Sequence, residues 1–282
     1  MERNNLRMWK NIYLIILTLV TIGCIIYGIV KHTSGARHWF SSDQDYQKSD
    51  EMTVLAIENF DDIMLNVAIG DLRIVYGDAY QVEYNYPEKL KPDVNVRDGV
   101  LTVDQKQGKG GVNFFGFGNW DTLGDMDYDL VITIPKDTKI GDVNLSMDMG
   151  NIQIDDIKME DLTIDADMGN IEANQISFAK MDMDADMGNI EMNKVVFDRG
   201  ECDADMGSIE LKNASFDRLE CDADMGSIEI DGDFQKLTAN CSMGSVTVTT
   251  KEDPDDLILD LSADMGVVTV NGKDKGREYY RK

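Results

Sequence analysis

Histidine is nearly absent from this sequence. The 282 residues contain two, His32 and His38, and both sit just behind an apolar run. Everything from residue 39 onward therefore lacks the side chain used by Ser/His and Cys/His nucleophilic systems and by His-based zinc sites. Cysteine is scarce as well, with four and no Cys-x-x-Cys, which removes dithiol redox and structural-zinc chemistry. Basic residues are outnumbered, with 27 Lys and Arg against 53 Asp and Glu and a net charge of −26. Such a chain does not engage nucleic acid, whose phosphates need clustered cations. Nor is there a phosphate loop: the Gly-rich stretch at 108–118 leads into neither Gly-Lys-[Ser/Thr] nor a helix start. Aromatic content is ordinary at 8% and Val, Ile and Leu are plentiful, so the acidity is not that of a disordered tail. It belongs on the outside of a folded domain.

Ile12 to Val30 carries no charged residue. At about 1.5 Å per residue this length nearly spans a hydrocarbon core of about 30 Å. Arg3, Arg7 and Lys10 precede it; Lys31 and Arg37 follow but are soon diluted by Asp43 and Asp45. The positive-inside rule then predicts a cytoplasmic N-terminus over residues 1–11, a transmembrane helix over 12–30 and everything later outside. A cleaved signal peptide fits less well, because Tyr27-Gly28-Ile29-Val30 is a poor small-x-small site. Lipidation at Cys24 fits poorly too, since Ile25, Ile26, Ile29 and Val30 continue the apolar run. An uncleaved signal anchor in the cell membrane is the expectation, followed by a polar tether over 31–50.

The rest of the chain is organised by a repeat. Met-Gly recurs at Met149, Met168, Met187, Met206, Met225, Met243 and Met265, mostly 19 residues apart. Asp165 to Glu172 is nearly duplicated at Asp184 to Glu191, Asp203 to Glu210 and Asp222 to Glu229. From Leu162 to Met168 apolar and polar residues alternate with period two, the pattern of a strand with one buried face. Gly169 marks a corner, Ile171 and Ala173 a second strand, Ile176 and Phe178 a third short side. A unit this short cannot bury its own face, but stacked units can. The fold class predicted is therefore all-β: a parallel β-solenoid of about 19-residue rungs over 141–272, behind one N-terminal transmembrane helix. Methionines 168, 187, 206 and 225 fall in phase with the alternation and are expected inside, with Ala166, Ala185, Ala204, Ala223 and Phe178, Phe197, Phe216. Residues 51–140 should cap the stack: Ile63 to Ile74 as a diverged rung around Gly70, with strands at 81–86, 94–96, 100–103 and 128–134. A Gly- and aromatic-rich insertion fills 105–127, and the basic tail 273–282 is expected to be loose.

Stacking converts each outward position into a column. Asp165, Asp184, Asp203 and Asp222 form one ladder, Asp167, Asp186, Asp205 and Asp224 a second, and Glu172, Glu191, Glu210 and Glu229 a third. Like charges about 5 Å apart repel by roughly 1 kcal/mol in water. The two aspartate ladders are thus candidate sites for a divalent cation, and oxygen donors suit calcium best. The alternative is a solvated acidic face that keeps a long sheet from aggregating. No other cofactor is expected. Lys180, Arg199, Arg218 and Lys236 make a basic column, either a stripe for an anionic polymer or partners for Asp198 and Asp217. Catalysis is not expected: two working carboxylates need different environments, and these ladders are uniform. Cys202, Cys221 and Cys241 fall at inward positions, and parallel stacking aims their side chains alike, so free thiols are expected. In the insertion, Phe114, Phe115, Phe117 and Trp120 are candidate partner-binding residues, suited to a protein or a membrane surface. The alternative is a lid on the first rung.

Leu130 to Pro135 (LVITIP), followed by repeated Met-Gly-[Asn/Ser]-Ile, resembles a bacterial β-strand-repeat family known as adhesins of unknown function, over residues 53–271. That resemblance implies a β-repeat fold and a place in the cell envelope, with this chain a membrane-anchored member, and no named reaction. The function expected is a membrane-anchored, extracytoplasmic binding or surface-interaction scaffold whose partner is an envelope protein or wall polymer. The alternative is an accessory regulator in envelope-stress signalling. Residues 1–11 are too short for an output domain, so its signal would pass through a membrane partner.

Overall fold

The computed structural model describes residues 52–105, 128–136 and 138–282. The expected transmembrane span 12–30, the tether 31–50 and Phe114, Phe115, Phe117 and Trp120 lie outside them. Among the described residues no helix is long and apolar enough to cross a membrane.

Strands in chain order are β1 (Thr53–Ala56), β2 (Asp62–Val67), β3 (Asp71–Gly77), β4 (Gln81–Tyr84), β5 (Asp93–Arg97), β6 (Val100–Asp104) and β7 (Asp129–Pro135). The repeats follow as β8 (Asp142–Met149), β9 (Ile152–Asp155), β10 (Asp161–Met168), β11 (Ile171–Asn174), β12 (Ser177–Met187) and β13 (Ile190–Asn193). They continue as β14 (Val196–Met206), β15 (Ile209–Met225), β16 (Ile228–Met243), β17 (Val246–Thr249), β18 (Ile258–Ala263) and β19 (Val268–Val270), and the chain closes with β20 (Lys273–Asp274) and β21 (Glu278–Arg281). Like pairs with like in parallel register: Ala166 on Ala185, Ile171 on Ile190, Phe178 on Phe197. The fold is the expected parallel β-solenoid, one rung per repeat.

Each rung turns three times. At the first corner the carbonyl oxygen of one glycine occupies the space a side chain would need on the next. A Cβ on Gly169 would lie 1.8 Å from Gly150 O, and one on Gly207 1.7 Å from Gly188 O. Gly70, Gly150 and Gly169 also have positive φ, but the later corner glycines are excluded from substitution by this contact alone. Beside them an amide and hydroxyl ladder ties the corners together. The side chains of Asn151, Asn170, Asn189 and Ser208 accept, in turn, from the backbone N–H of Asn170, Asn189, Ser208 and Ser227 at 2.9–3.1 Å. That is why [Asn/Ser] follows Met-Gly in these rungs. The second corner holds Asp156, Gln175, Lys194 and Asn213 in left-handed conformation, φ 52–58°. At the third bend two successive residues face outward, Ala179 and Lys180 in β12 and Asp198 and Arg199 in β14, with Phe178 and Phe197 buried just before them.

The first corner overturns one expectation. Met187, Met206, Met225 and Met243 are 41–46% exposed and Met265 is 66% exposed. Met149 and Met168 are half-buried. Period-two alternation ends at Ala166, because the backbone must swing to set glycine on glycine. The next inward residue is Ile171, so Met168 is carried outward with Asp167. The alanine and phenylalanine columns are buried as expected. The rings of Phe178, Phe197, Phe216 and Phe234 stack at centroid spacings of 5.2, 5.0 and 4.9 Å. Core volume is traded between rungs: Gly200 leaves the space into which the Met181 methyl reaches, 2.6 Å from where its Cβ would stand.

Chain order and stacking order part at the N-terminal end. β2 lies between β6 and β8, and β3 between β7 and β9, all parallel. Val100–Asp104 and Asp129–Pro135 thus form a rung outside Asp62–Gly77. Antiparallel strands close this end, β5 on β6, β4 on β7 and β1 on β4. The other end is closed by β21 on β18 and β20 on β19. The tail is therefore an ordered cap and not loose: Tyr279 packs against the core, and Arg281 pairs with Asp255 at 2.8 Å.

Two substitutions separate the corners. Gly207→Ala must force two backbones apart and is expected to cost about 3 kcal/mol or more. Lys194→Gly relieves a left-handed residue and should leave stability unchanged or raise it by up to about 1 kcal/mol. Equal melting temperatures for the two variants would contradict this account of the corners.

Candidate functional site

Between the third bend and the first corner, strands β10, β12, β14 and the later halves of β15 and β16 present one broad face. Its columns read across in a fixed order. At the bend stand Lys180, Arg199, Arg218 and Lys236, in register. Next come Asp182, Glu201 and Glu220, then Asp165, Asp184, Asp203 and Asp222. Asp167, Asp186, Asp205 and Asp224 follow, and the methionines end the face at the corner. All eight ladder aspartates point outward, Asp222 half-buried and the others exposed.

Holding carboxylates at the rung spacing has an electrostatic cost. The Asp167, Asp184 and Asp203 carboxyls are raised above the ordinary carboxylate range, first by partial desolvation against the sheet and then by like charges. For Asp184 the charges are Asp203, Asp186, Asp165 and Asp205; for Asp203 they are Asp222, Asp205 and Asp224. The ladder ends in neutral donors. Asn240 Nδ2 donates to Asp222 Oδ1 at 2.9 Å and Ser242 Oγ to Asp224 Oδ1 at 3.2 Å. Among the described residues no three His, Cys, Asp or Glu side chains form a group able to hold a metal ion. The aspartates named for calcium thus stand as rows of single carboxylates, whereas calcium takes six to eight oxygens.

The basic column is less neutralised than its sequence surroundings suggest. Lys180 Nζ meets Asp161 Oδ2, one rung back, at 3.2 Å. Among the described residues Arg199, Arg218 and Lys236 make no ion pair within 4.0 Å, so the pairing with Asp198 and Asp217 does not form. Past the first corner the glutamate ladder edges a shallow groove of about 280 Å³, lined by Glu172, Asn174, Glu191, Met192, Asn193, Glu210 and Lys212. Lys212 pairs with Glu210 inside it. Cys202, Cys221 and Cys241 are buried free thiols. Burial pushes the Cys221 and Cys241 thiols up, and a hydrogen bond with Cys202 adds to this for Cys221. At neutral pH these two are protonated and inert.

The raised carboxyls set a pH dependence. In the window between their ordinary and raised values the folded state binds more protons than the unfolded chain. Their contribution is therefore most favourable at low pH and is lost as the pH rises through the raised values. The melting temperature is expected to climb as the pH falls through the raised values towards the ordinary carboxylate range. Asp184→Asn with Asp203→Asn should raise it at neutral pH and flatten that climb. A double variant whose pH profile overlays that of the parent would refute the argument.

The comparisons with known proteins agree with this architecture. A putative adhesin from Bacteroides fragilis superposes with a TM-score of 0.55 at 17% identity, covering 79% of this chain and 97% of that one. A putative adhesin from Parabacteroides distasonis has a TM-score of 0.46 at 16% identity, covering 80% of this chain and 97% of its own. A putative lipid binding protein from the same organism has 0.46 at 17% identity, covering 78% and 96%. None of the three is named as an enzyme, and at these identities the likeness of the first speaks to the fold. No curated protein matches the chain. The Toastrack DUF4097 family matches residues 60–281, and the chain belongs to that family.

Proposed function

We propose that this protein is a binding scaffold held on the outer side of a cell membrane by residues 12–30, with the solenoid presenting its broad face to the envelope. The observation that carries this reading is the basic column at the third bend, where three of four cations lack an ion-pair partner on a strongly acidic surface. A charge left unpaired beside so many carboxylates is available to a ligand. Its repeat along the stack suits a polymer whose anionic groups also repeat, such as a wall polymer.

Two measurements on the full chain test this. The buried native thiols give little background, so Asp233→Cys places one exposed thiol on the solenoid. A membrane-impermeant maleimide should label it in intact cells; labelling only after permeabilisation would place the solenoid inside and end the proposal. Detergent-purified chain should then co-sediment with wall fragments, and Arg199→Glu with Arg218→Glu should weaken this about tenfold at low salt. If the chain ignores the wall and co-purifies in fixed ratio with a membrane sensor or transporter, the regulatory reading replaces this one.

A further inference from the structure

Among the described residues, the first corner is the one place where an apolar residue is spent on solvent in rung after rung. Met187, Met206, Met225, Met243 and Met265 are 41%, 46%, 44%, 44% and 66% exposed. Methionine is normally a core residue. Their register is strict: Met149 lies on Met168, Met168 on Met187, Met187 on Met206, Met206 on Met225 and Met225 on Met243. Gly266 lies on Gly244, which keeps Met265 at the same corner.

Packing does not account for this uniformity. Four residues earlier, inside the core, the equivalent column reads Leu145, Ile164, Met183, Cys202, Cys221, Ala239 and Leu261. There, where shape matters most, the rungs accept five different residue types. At the exposed corner, where shape matters least, the type does not change between Met149 and Met265. Leucine would cover the glycine backbone equally well, and lysine would do so with better solubility. What methionine alone adds is a thioether, a soft, uncharged sulfur donor.

We infer that the methionine row is a binding site for a soft monovalent metal ion of the copper(I) and silver(I) class. The spacing fits the chemistry. Two metal–sulfur bonds of about 2.3 Å each span nearly the distance between neighbouring rungs, about 4.8 Å. One ion can therefore sit between the thioethers of adjacent rungs, held from both sides. Asp167, Asp186, Asp205 and Asp224, each directly before its methionine and facing outward, supply negative charge beside the ion. Thioethers have no proton to lose, so binding here needs no deprotonation of the ligand. Outside the row, the exposed thioethers of the described surface are those of Met52 and Met64, and neither lies in register with it. Cys202, Cys221 and Cys241 are at most 2% exposed, and the described residues include no histidine. Metals that take His, Cys and carboxylate groups find no such group among them.

Silver(I) is the probe, since it needs no reductant. The full chain, labelled with ¹³C at the methionine methyls, is titrated with silver nitrate in chloride-free buffer, with calorimetry in parallel. The variant Met187→Leu, Met206→Leu, Met225→Leu keeps the corner apolar and removes three sulfurs. Cys24, His32 and His38 are unchanged in it and report any background. The inference predicts that silver shifts the row's methyl signals and that the variant, which keeps only the Met149–Met168 and Met243–Met265 neighbours, binds fewer silver ions with an unchanged melting temperature. An unchanged number of silver ions bound by the variant, or signals that stay in place, would overturn it. Should the triple variant fold poorly, Met206→Leu alone, which interrupts the row at its middle, must still lower affinity or stoichiometry for the inference to stand.

Discussion

At the first corner of each rung, the carbonyl oxygen of one glycine stands where the next glycine's side chain would be, within 2.0 Å of the Cβ position for each corner glycine from Gly150 to Gly266. This contact fixes the register of the stack, since only glycine on glycine closes the gap. It lines up the Asn and Ser side chains that bridge neighbouring corners and sets the strands that follow in phase. From that phase come the alanine and phenylalanine columns inside and the charge columns outside. The corner is therefore both a steric constraint and the origin of the surface pattern.

The same alignment has an electrostatic consequence. A parallel in-register stack turns one acidic residue of a repeat into a row of like charges at the shortest spacing a sheet allows. The carboxyls of Asp167, Asp184 and Asp203 respond with raised proton affinity, and the row is terminated by Asn240, Ser242 and Ser262. Along the bend the same rule builds a row of cations. The chain does not mix signs within these columns over the central rungs. Each edge of the broad face therefore has its own chemistry, cationic at the bend and thioether at the corner, with carboxylates between.

Much of this is legible in the sequence because the period is short and the alternation strict. Leu162, Ile164 and Ala166 declare a buried face, and the Met-Gly spacing declares the rung. The direction of Met168 is not legible, because parity along a strand fails where the backbone turns, and nothing in Asp-Met-Gly marks which residue turns first. Gln175 and Lys194 hide the second corner, since neither residue type signals a left-handed conformation. The basic column is readable as a column, but its lack of partners depends on bend geometry. The outermost rung is hidden because its two strands, Val100–Asp104 and Asp129–Pro135, are separated by the insertion. The cap made by the tail rests on Tyr279, whose apolar contact a basic local sequence conceals.

The place of β2 and β3 between two later segments imposes an order of events. In the repeats, each strand finds its neighbour 18–22 residues away, so loops are short and closure is fast. Asp62 and Asp71 instead accept from backbone amides 80 residues further on, at Asp142 and Asn151. The rung outside them is complete only once Pro135 is in place. A chain delivered from its N-terminus must therefore hold its first strands open, with one face unpaired, until the middle of the molecule has arrived. With partners 80 residues away instead of 18–22, the first strands keep one side unpaired longer than any repeat strand does, and that side is open to capture by a chaperone or a second copy in the interval.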